Sequence, residues 1–403
     1  MGGLRQLAKT PEQEGEVMNL KDKYAIVGVG YTPQGRVPHR TALSFYVEAC
    51  ANAIKDAGLK REDIDGLICY RYFPPALGEA EVTPYLVAQH LGLAPKLLSQ
   101  EANCARTQLQ HAIWALEAGL CNYVVVCYAD NPLSAGRSFG FVEMASDNAV
   151  FGQFGAIAGY AMAARRAMHT FRTGPETWKE IAVGQRKWAN LNPKAMMHDR
   201  TLTSEDYYNS RWVVEPFRIC DCCLISDGGR AYVVTSAERA RDLRHHPAVI
   251  TGTGQHNPSC QKLSLSYMTG PTGAKIAGEM ALKMAGITID DVDACEIYDC
   301  FSYTVEITLQ DYGFFRPGEG RDWFNGGAIA PGGRLPINTS GGQLSEAYFM
   351  GLTPLTEGAM QIMGRCGDRQ LGPKTNTKSP EIILCSDNGG ILQTHSCVIL
   401  RRL

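Results

Sequence analysis

The chain carries the same supersecondary unit twice, and this duplication is the strongest constraint on its fold. In the first copy an apolar segment, Ala25–Gly30, ends in Gly-x-Gly, and Val249–Gly254 ends in the same way in the second. An Ala-Gly pair follows in each copy, at Gly58 and Gly286, and an acidic turn and a second apolar segment come next at identical spacing. The repeated order predicts a strand with a glycine turn, a helix and another strand, twice over.

The segment between the two strands has the spacing of a helix with one apolar face in both copies. Gly58 and Gly286 occupy the position where a helix C-terminus favours a left-handed residue. Because short apolar strands joined through a helix favour parallel pairing under a helical cover, the predicted class is α/β. We expect the two halves to pack through a shared helical layer. The apolar positions recur every three or four residues: Leu43, Val47, Cys50, Ala51 and Ile54, and then Ala277, Met280, Ala281 and Met284.

The duplication also suggests domain limits. Residues 1–21 are polar and unpatterned, which is typical of a flexible N-terminal arm. The first domain is predicted over 22–245 and the second over 246–403. Residues from about 133 to 245 have no counterpart in the second half, so we interpret them as an inserted loop subdomain that shapes the ligand pocket. Two helices are predicted in it, at Ala158–Met168 and Glu176–Leu191.

Composition excludes several classes of partner. The net charge is −2 over 403 residues, and no sustained block of Lys and Arg occurs, which argues against nucleic acid as the main partner. No run of about 18 apolar residues predicts a membrane span, and the first twenty residues lack the pattern of a signal peptide. A cytoplasmic protein is therefore expected, and its 14 cysteines are interpreted as mainly reduced, buried thiols.

Two motifs invite other interpretations. The Gly-x-Gly segments suggest dinucleotide binding, but the third glycine of that fingerprint is replaced by Pro33 in one copy and Asn257 in the other. Cys220, Cys222 and Cys223 suggest a metal site, but no second pair of ligands follows at finger spacing. We therefore expect no metal and no tightly bound cofactor, and interpret the three thiols as part of a buried strand.

Two loops in the second half contain most of the candidate catalytic side chains. The first is Tyr298-Asp299-Cys300-Phe301, and the second runs from Ser340-Gly341-Gly342 through Tyr348 to Gly351. These segments resemble the thiolase superfamily, in the sterol-carrier-protein-x branch, whose loops read His-Asp-Cys-Phe and Ser-Gly-Gly followed by Gly-His-Pro-x-Gly. The resemblance extends from about residue 22 along nearly the whole chain. It implies a duplicated five-layer αβαβα thiolase fold.

The departures from that pattern bear on function. Both catalytic histidines of the branch are tyrosines here, and the side-chain pKa is about 10 for tyrosine but near 6.5 for histidine. The double change resembles thiolase-like aldolases of bacterial steroid side-chain degradation, which cleave a β-hydroxyacyl-CoA into a ketone and a shorter acyl-CoA. The resemblance implies CoA as part of the substrate, a homodimer, and a small OB-fold, zinc-ribbon partner that completes a heterotetramer.

The implied reaction is a retro-aldol cleavage, which needs a base, an acid and stabilisation of a thioester enolate. The resemblance gives the base and acid roles to Tyr298 and Tyr348, with Tyr298 assigned as base for the hydroxyl proton, although the opposite assignment remains open. Asp299 either orients Tyr298 or caps a turn. The backbone N–H groups of Gly389 and Gly390, together with that of Cys104, are candidates to bind the enolate oxygen.

Two cysteines keep other functions open. Cys104 stands where the superfamily has its nucleophile, ahead of a predicted helix through Leu109–Ala118, and a helix N-terminus lowers the pKa of a thiol. A Cys104-dependent thiolase or acyltransferase is therefore the first alternative. Cys300 keeps its family position, but without histidine partners a structural role is favoured. A non-catalytic acyl- or lipid-binding scaffold for a partner is the second alternative.

Overall fold

The computed structural model of the chain describes residues 19–70, 81–101, 105–137, 150–153, 155–257 and 271–403. The predicted N-terminal arm lies mostly outside these ranges. The strands are β1 Tyr24–Tyr31, β2 Gly66–Tyr70, β3 Leu97–Glu101, β4 Val124–Asp130, β5 Trp212–Val214, β6 Phe217–Arg218, β7 Gly228–Ser236, β8 Ala248–His256, β9 Ala294–Glu296, β10 Ile382–Gly389 and β11 Thr394–Arg402.

The helices cover the faces of the sheet and fill the insertion. They are α1 Ala42–Asp56, α2 Pro84–Leu91, α3 Ala105–Glu117, α4 Gly155–Phe171, α5 Pro175–Ala189, α6 Ser204–Asn209, α7 Ala237–Ala240, α8 Gly273–Ala285, α9 Ser302–Tyr312, α10 Gly320–Phe324, α11 Gly342–Ser345 and α12 Leu352–Ile362. In the described part of the chain, no helix combines the length and apolar character that a membrane span needs.

The sheet repeats one strand order in its two halves. Nine strands form a mixed sheet in the order β3-β2-β4-β7-β1-β8-β11-β10-β9. Counted outward from the β1–β8 contact, the series β1, β7, β4, β2 is matched by β8, β11, β10, β9. In each series the first three strands are antiparallel neighbours and the fourth is parallel to the third. The two strands of each predicted unit therefore run in the same direction, with two other strands between them.

Helices that contact both halves form the predicted shared layer. On the outer side, α1 packs on β1, β4 and β7, and α8 packs on β8 and β11. By contrast, α12 contacts β9, β10 and β11 of the second half and also β1 and β7 of the first, while α3 contacts β2, β4 and β7 and also β11. Every residue of α12 except Met360 is buried. The shared helical layer that the sequence predicts is thereby confirmed.

The Gly-x-Gly segments are not turns, and that part of the prediction was wrong. Both lie inside a strand, β1 in one half and β8 in the other, where the following helix crosses the strand closely. A Cβ atom on Gly30 would lie 2.0 Å from the Ala49 carbonyl oxygen, and one on Gly254 would lie 1.8 Å from that of Ala277. The repeated glycines therefore allow close contact between helix and strand.

The insertion is shorter than predicted. Its two expected helices are present as α4 and α5, followed by α6 and the β5–β6 hairpin. However, β7 is buried along almost its whole length between β4 and β1, so the inserted part ends before Gly228 instead of at 245. The second strand of the second copy, β9, ends at Glu296 and leaves Tyr298 in the loop beyond it.

Replacing Gly254 by alanine is expected to destabilise the fold, because the new methyl group would have to displace helix backbone. Overpacking of this kind costs about 1–3 kcal/mol, and we expect the free energy of unfolding to fall by at least that amount in urea titrations. Gly389→Ala is the control, since no atom of the described residues lies within 4 Å of the position its methyl group would take. Equal unfolding midpoints for the two variants would contradict the packing role.

Candidate active site

Tyr298 and Tyr348 lie in direct contact. Their hydroxyl oxygens are 2.6 Å apart, which is hydrogen-bond distance, although the two residues are 50 positions apart in the chain. The rings meet edge to face, with centroids 6.2 Å apart and an interplanar angle of 71°. Both side chains are buried, at 5% and 7% exposure. The two loops identified from the sequence therefore form one site.

Hydroxyl side chains hold the backbone of both tyrosines in place through hydrogen bonds. The N–H of Tyr298 donates to Ser386 Oγ in β10 at 3.3 Å, and its carbonyl accepts from Thr304 Oγ1 at 3.2 Å. The N–H of Tyr348 donates to Ser226 Oγ at 2.8 Å, and that hydroxyl donates back to the Tyr348 carbonyl at 3.2 Å. At each tyrosine, hydrogen bonds therefore fix both the backbone N–H and the backbone carbonyl to other segments of the chain.

Asp299 fastens the two loops to each other. Its carboxylate accepts hydrogen bonds from the backbone N–H groups of Gln343 at 2.9 Å and Leu344 at 3.1 Å, in the first turn of α11. Of the two roles considered from the sequence, this geometry is that of a cap. Gly342 is required beside it, because a Cβ atom there would lie 2.2 Å from Asp299 Oδ2. Burial raises the pKa of Asp299 to about 7.

Burial also determines the protonation of the reactive groups. It raises the pKa of Tyr298 well above its ordinary value, and the neighbouring Tyr348 adds to the increase. The Tyr298 hydroxyl therefore stays protonated at neutral pH. Burial likewise raises the pKa of the Cys300 thiol, despite its hydrogen bond with Tyr160. Neither group is an anion in the resting site.

The insertion contributes a third tyrosine that the sequence analysis missed. Tyr160 of α4 donates a hydrogen bond from its hydroxyl to Asn388 Oδ1 of β10 at 2.8 Å. Its ring centroid is 4.9 Å from that of Phe301, which also stacks on Phe217 of the β5–β6 hairpin at 4.7 Å. Its spacing in the sequence marks Tyr160 only as one buried position of an apolar helix, because the contacts with β10 are tertiary.

The thiol-rich segment has a structural part in the site. The N–H of Cys223 donates to the Cys300 carbonyl at 2.9 Å, and that of Leu224 donates to the Gln343 carbonyl at 2.9 Å. Cys222 forms an isolated β-bridge with Phe301. The segment therefore joins the Tyr298 loop to α11 through its backbone. In the ranges that the structure covers, no three His, Cys, Asp or Glu side chains are grouped as metal ligands would be.

The remaining candidates lie beside β10 or outside the described residues. Gly389 ends β10 and is half-buried, and no described residue comes within 4 Å of where its side chain would stand. Gly390 is exposed and has a φ of +59°, and Ile391 and Leu392 continue the turn with φ values of +62° and +64°. Cys104 lies outside the described residues, so its thiol and backbone amide stay predictions.

Comparisons with known proteins agree with this geometry. Residues 254–402 match the family described as Thiolase C-terminal domain-like. The chain is 36% identical to the steroid side-chain-cleaving aldolase of Thermomonospora curvata over 87% of its own length and 93% of that protein. It is also 36% identical to the 17-hydroxy-3-oxo-4-pregnene-20-carboxyl-CoA lyase of Mycobacterium tuberculosis, over 86% of this chain and 92% of the lyase.

A solved structure extends the agreement to three dimensions. The structure titled "Ltp2-ChsH2(DUF35) aldolase" superimposes with a TM-score of 0.84 at 34% identity, covering 95% of this chain and 98% of that one. The predicted thiolase fold is therefore confirmed. Together with the identity across nearly the full length of both relatives, this shows that the chain belongs to the thiolase-fold family of aldolases that includes the steroid side-chain-cleaving aldolase.

Proposed function

We propose that this protein cleaves a bulky β-hydroxyacyl-CoA, a steroid side-chain intermediate, into a ketone and a shorter acyl-CoA such as propionyl-CoA. The observation that carries the proposal is the 2.6 Å hydrogen bond between the two buried tyrosine hydroxyls. The relatives' names place steroids and a carboxyl-CoA among their substrates, and we extend that class to this chain.

The proposed reaction moves one proton within the substrate. The β-hydroxyl loses its proton, and its oxygen forms the ketone carbonyl as the bond between the α- and β-carbons breaks. The electron pair of that bond passes to the thioester, which becomes an enolate. A proton then adds to the α-carbon and gives the shorter acyl-CoA. The one proton that the β-hydroxyl loses is balanced by the one proton that the α-carbon gains.

Two hydroxyls in hydrogen-bond contact suit this transfer. In our proposal Tyr298 accepts the proton of the β-hydroxyl as it passes its own proton to Tyr348, and Tyr348 delivers a proton to the α-carbon. A free tyrosinate is not needed, which agrees with the burial that raises the pKa of Tyr298. A tyrosine that acts alone as a base at neutral pH would need a lowered pKa, and the relay removes that requirement. The opposite order of the two tyrosines would use the same contact.

No covalent intermediate is required by the proposed steps. The carbon–carbon bond breaks towards the thioester already present in the substrate, so no acyl group has to be transferred to a protein nucleophile. Under this proposal Cys104 and Cys300 are not chemical participants. A Cys104-dependent acyltransferase would instead pass its acyl group through a thioester on the cysteine.

Tyr298→Phe and Tyr348→Phe are each expected to abolish cleavage without unfolding the protein, because each removes one hydroxyl of the relay. Loss of a positioned acid or base typically costs about 10²–10⁴-fold in rate. Mass spectrometry of the ketone and the shortened acyl-CoA is the readout. Tyr303→Phe is the matched control, because this tyrosine of α9 is as buried as Tyr298 and its ring packs edge to face on Trp178 of α5.

Cys104→Ala separates the proposed aldolase from the two alternatives. An aldolase of the proposed kind keeps its cleavage rate, whereas an acyltransferase loses all activity and its wild-type form carries an acyl adduct on Cys104. A scaffold forms no product from either class of substrate in any variant. Loss of ketone formation in Cys104→Ala would therefore contradict the reaction proposed here.

We also propose that the chain works as a homodimer, combined with a small OB-fold, zinc-ribbon partner in a heterotetramer. The solved aldolase that it resembles is titled as an assembly with a DUF35 protein. For the homodimer, β3 is the last strand of the sheet in the described ranges and is paired on one side, by β2. Leu98 of β3 is 41% exposed. A second copy can cover such an edge.

We also propose a cytoplasmic location. The described cysteines are free thiols, as is usual for proteins in that reducing compartment.

Leu98→Lys is expected to weaken the dimer, because it places a charge on the edge strand that the second copy would cover. Light scattering after size-exclusion chromatography should show a dimer for the wild type and a shift towards the monomer for the variant. Val213→Lys, at 40% exposure on the β5–β6 hairpin, is the matched control and should stay dimeric. A monomeric wild type, alone and with its partner, would contradict the homodimer.

A further inference from the structure

The side chain of Asn388 has one end bound and one end without a partner. Its Oδ1 accepts the hydrogen bond from Tyr160 at 2.8 Å, while its Nδ2 is buried and has no hydrogen-bond partner among the described residues. The residue is only 3% exposed. Buried amide N–H groups are rarely left unpaired, because the loss of their hydrogen bonds to water is then uncompensated. An Nδ2 in this state suggests that a ligand supplies the acceptor.

The position of Asn388 connects that donor with the tyrosine pair. β10 runs parallel to β9, with Cys385 opposite Glu296. The C-terminal end of β10 therefore lies beside the segment that leads from β9 to Tyr298. Ser386 accepts the Tyr298 N–H, and Asn388, two residues on, projects to the same face of the strand. Tyr160 reaches the same place from α4 and also forms a hydrogen bond with Cys300 of the Tyr298 loop.

The Tyr160 hydroxyl determines which end of the amide is presented. A tyrosine O–H that donates to Oδ1 holds the carbonyl end of the amide, and the remaining end is the one that can only donate. The arrangement is therefore a donor with fixed orientation, and the tyrosine that fixes it lies near Tyr298.

We propose that the Asn388 amide donates a hydrogen bond to the thioester oxygen of the substrate as this oxygen becomes the enolate oxygen, and that Tyr160 positions the amide. The inference rests on the proposed aldolase reaction and names the group that binds its developing negative charge. Preorganised donors of this kind stabilise the transition state more than the ground state. The sequence analysis named the backbone N–H groups of Gly389, Gly390 and Cys104 as candidates for this role; Asn388 adds a side-chain donor.

Two reactions test the inference on the complete complex. One is cleavage of a β-hydroxyacyl-CoA, and the other is exchange of the α-hydrogens of propionyl-CoA in D₂O. In the exchange an α-proton leaves, the same type of enolate forms, and deuterium adds to the carbon. Asn388→Ala is expected to lower kcat for cleavage about 10²–10³-fold with KM changed by less than about threefold. The exchange rate should fall in parallel.

Asn388→Asp distinguishes a donor from a merely structural residue. Aspartate keeps the shape and can still accept from Tyr160, but it replaces the donor by an acceptor with negative charge. A donor role predicts that Asp is at least as harmful as Ala to both reactions, whereas a structural role predicts that Asp is milder. Tyr160→Phe should lower both rates by about tenfold, a smaller loss than direct removal of one donor, because the amide remains but is no longer held.

The outcomes separate this inference from the proposed function. Asn131→Ala, which also removes a 3% exposed amide, is the control and should cleave at the wild-type rate. Wild-type cleavage and exchange rates in Asn388→Ala, or an Asp variant more active than the Ala variant, would overturn the role of Asn388 and leave the aldolase intact. A wild type that does not cleave any β-hydroxyacyl-CoA would overturn the proposed function and this inference with it.

Discussion

The contact between the Tyr298 and Tyr348 hydroxyls is the interaction for which the rest of the site is built. The two tyrosines lie in separate loops of the second half. The side chains of Asp299 and Asn338 join these loops by accepting hydrogen bonds from backbone N–H groups. Asp299 accepts two N–H groups of α11, and Asn338 Oδ1 accepts the N–H of Ile297 at 2.6 Å. Because a misplacement of about 1 Å can cost on the order of 10²-fold in rate, a proton relay requires such cross-links to hold the 2.6 Å contact.

The segments around the site contain unfavourable backbone conformations and a buried ion pair. Four non-glycine residues near the site have left-handed backbone, with φ values between +53° and +64°: Asn338, Met350, Ile391 and Leu392. Conformations of this type cost free energy and persist only where the surroundings enforce them. The loop before Tyr348 is further anchored by the ion pair of Arg230 and Glu346, whose side chains are 0% and 1% exposed. The duplicated sheet and its shared helical layer supply the rigid core that supports this strain.

The sequence predicted the features that depend on local pattern or on matched motifs. Duplication, helix positions and the two tyrosine loops were all evident, because periodicity and motif spacing are properties of the chain itself. The glycine segments were assigned to turns because glycine favours turns, and only the packed structure shows the helix that crosses them. Tyr160 and Ser226 had no signal, since each acts through one contact with a segment far away in the chain.

The pH dependence of kcat for cleavage tests the neutral relay most directly. Because burial raises the pKa of Tyr298, its hydroxyl starts protonated, and the relay needs no ionised hydroxyl. We therefore expect kcat to be nearly constant from about pH 8 to pH 10, the range below and up to the ordinary tyrosine pKa. A tenfold rise in kcat per pH unit across this range would mean that a tyrosinate is the active base, and would contradict the relay.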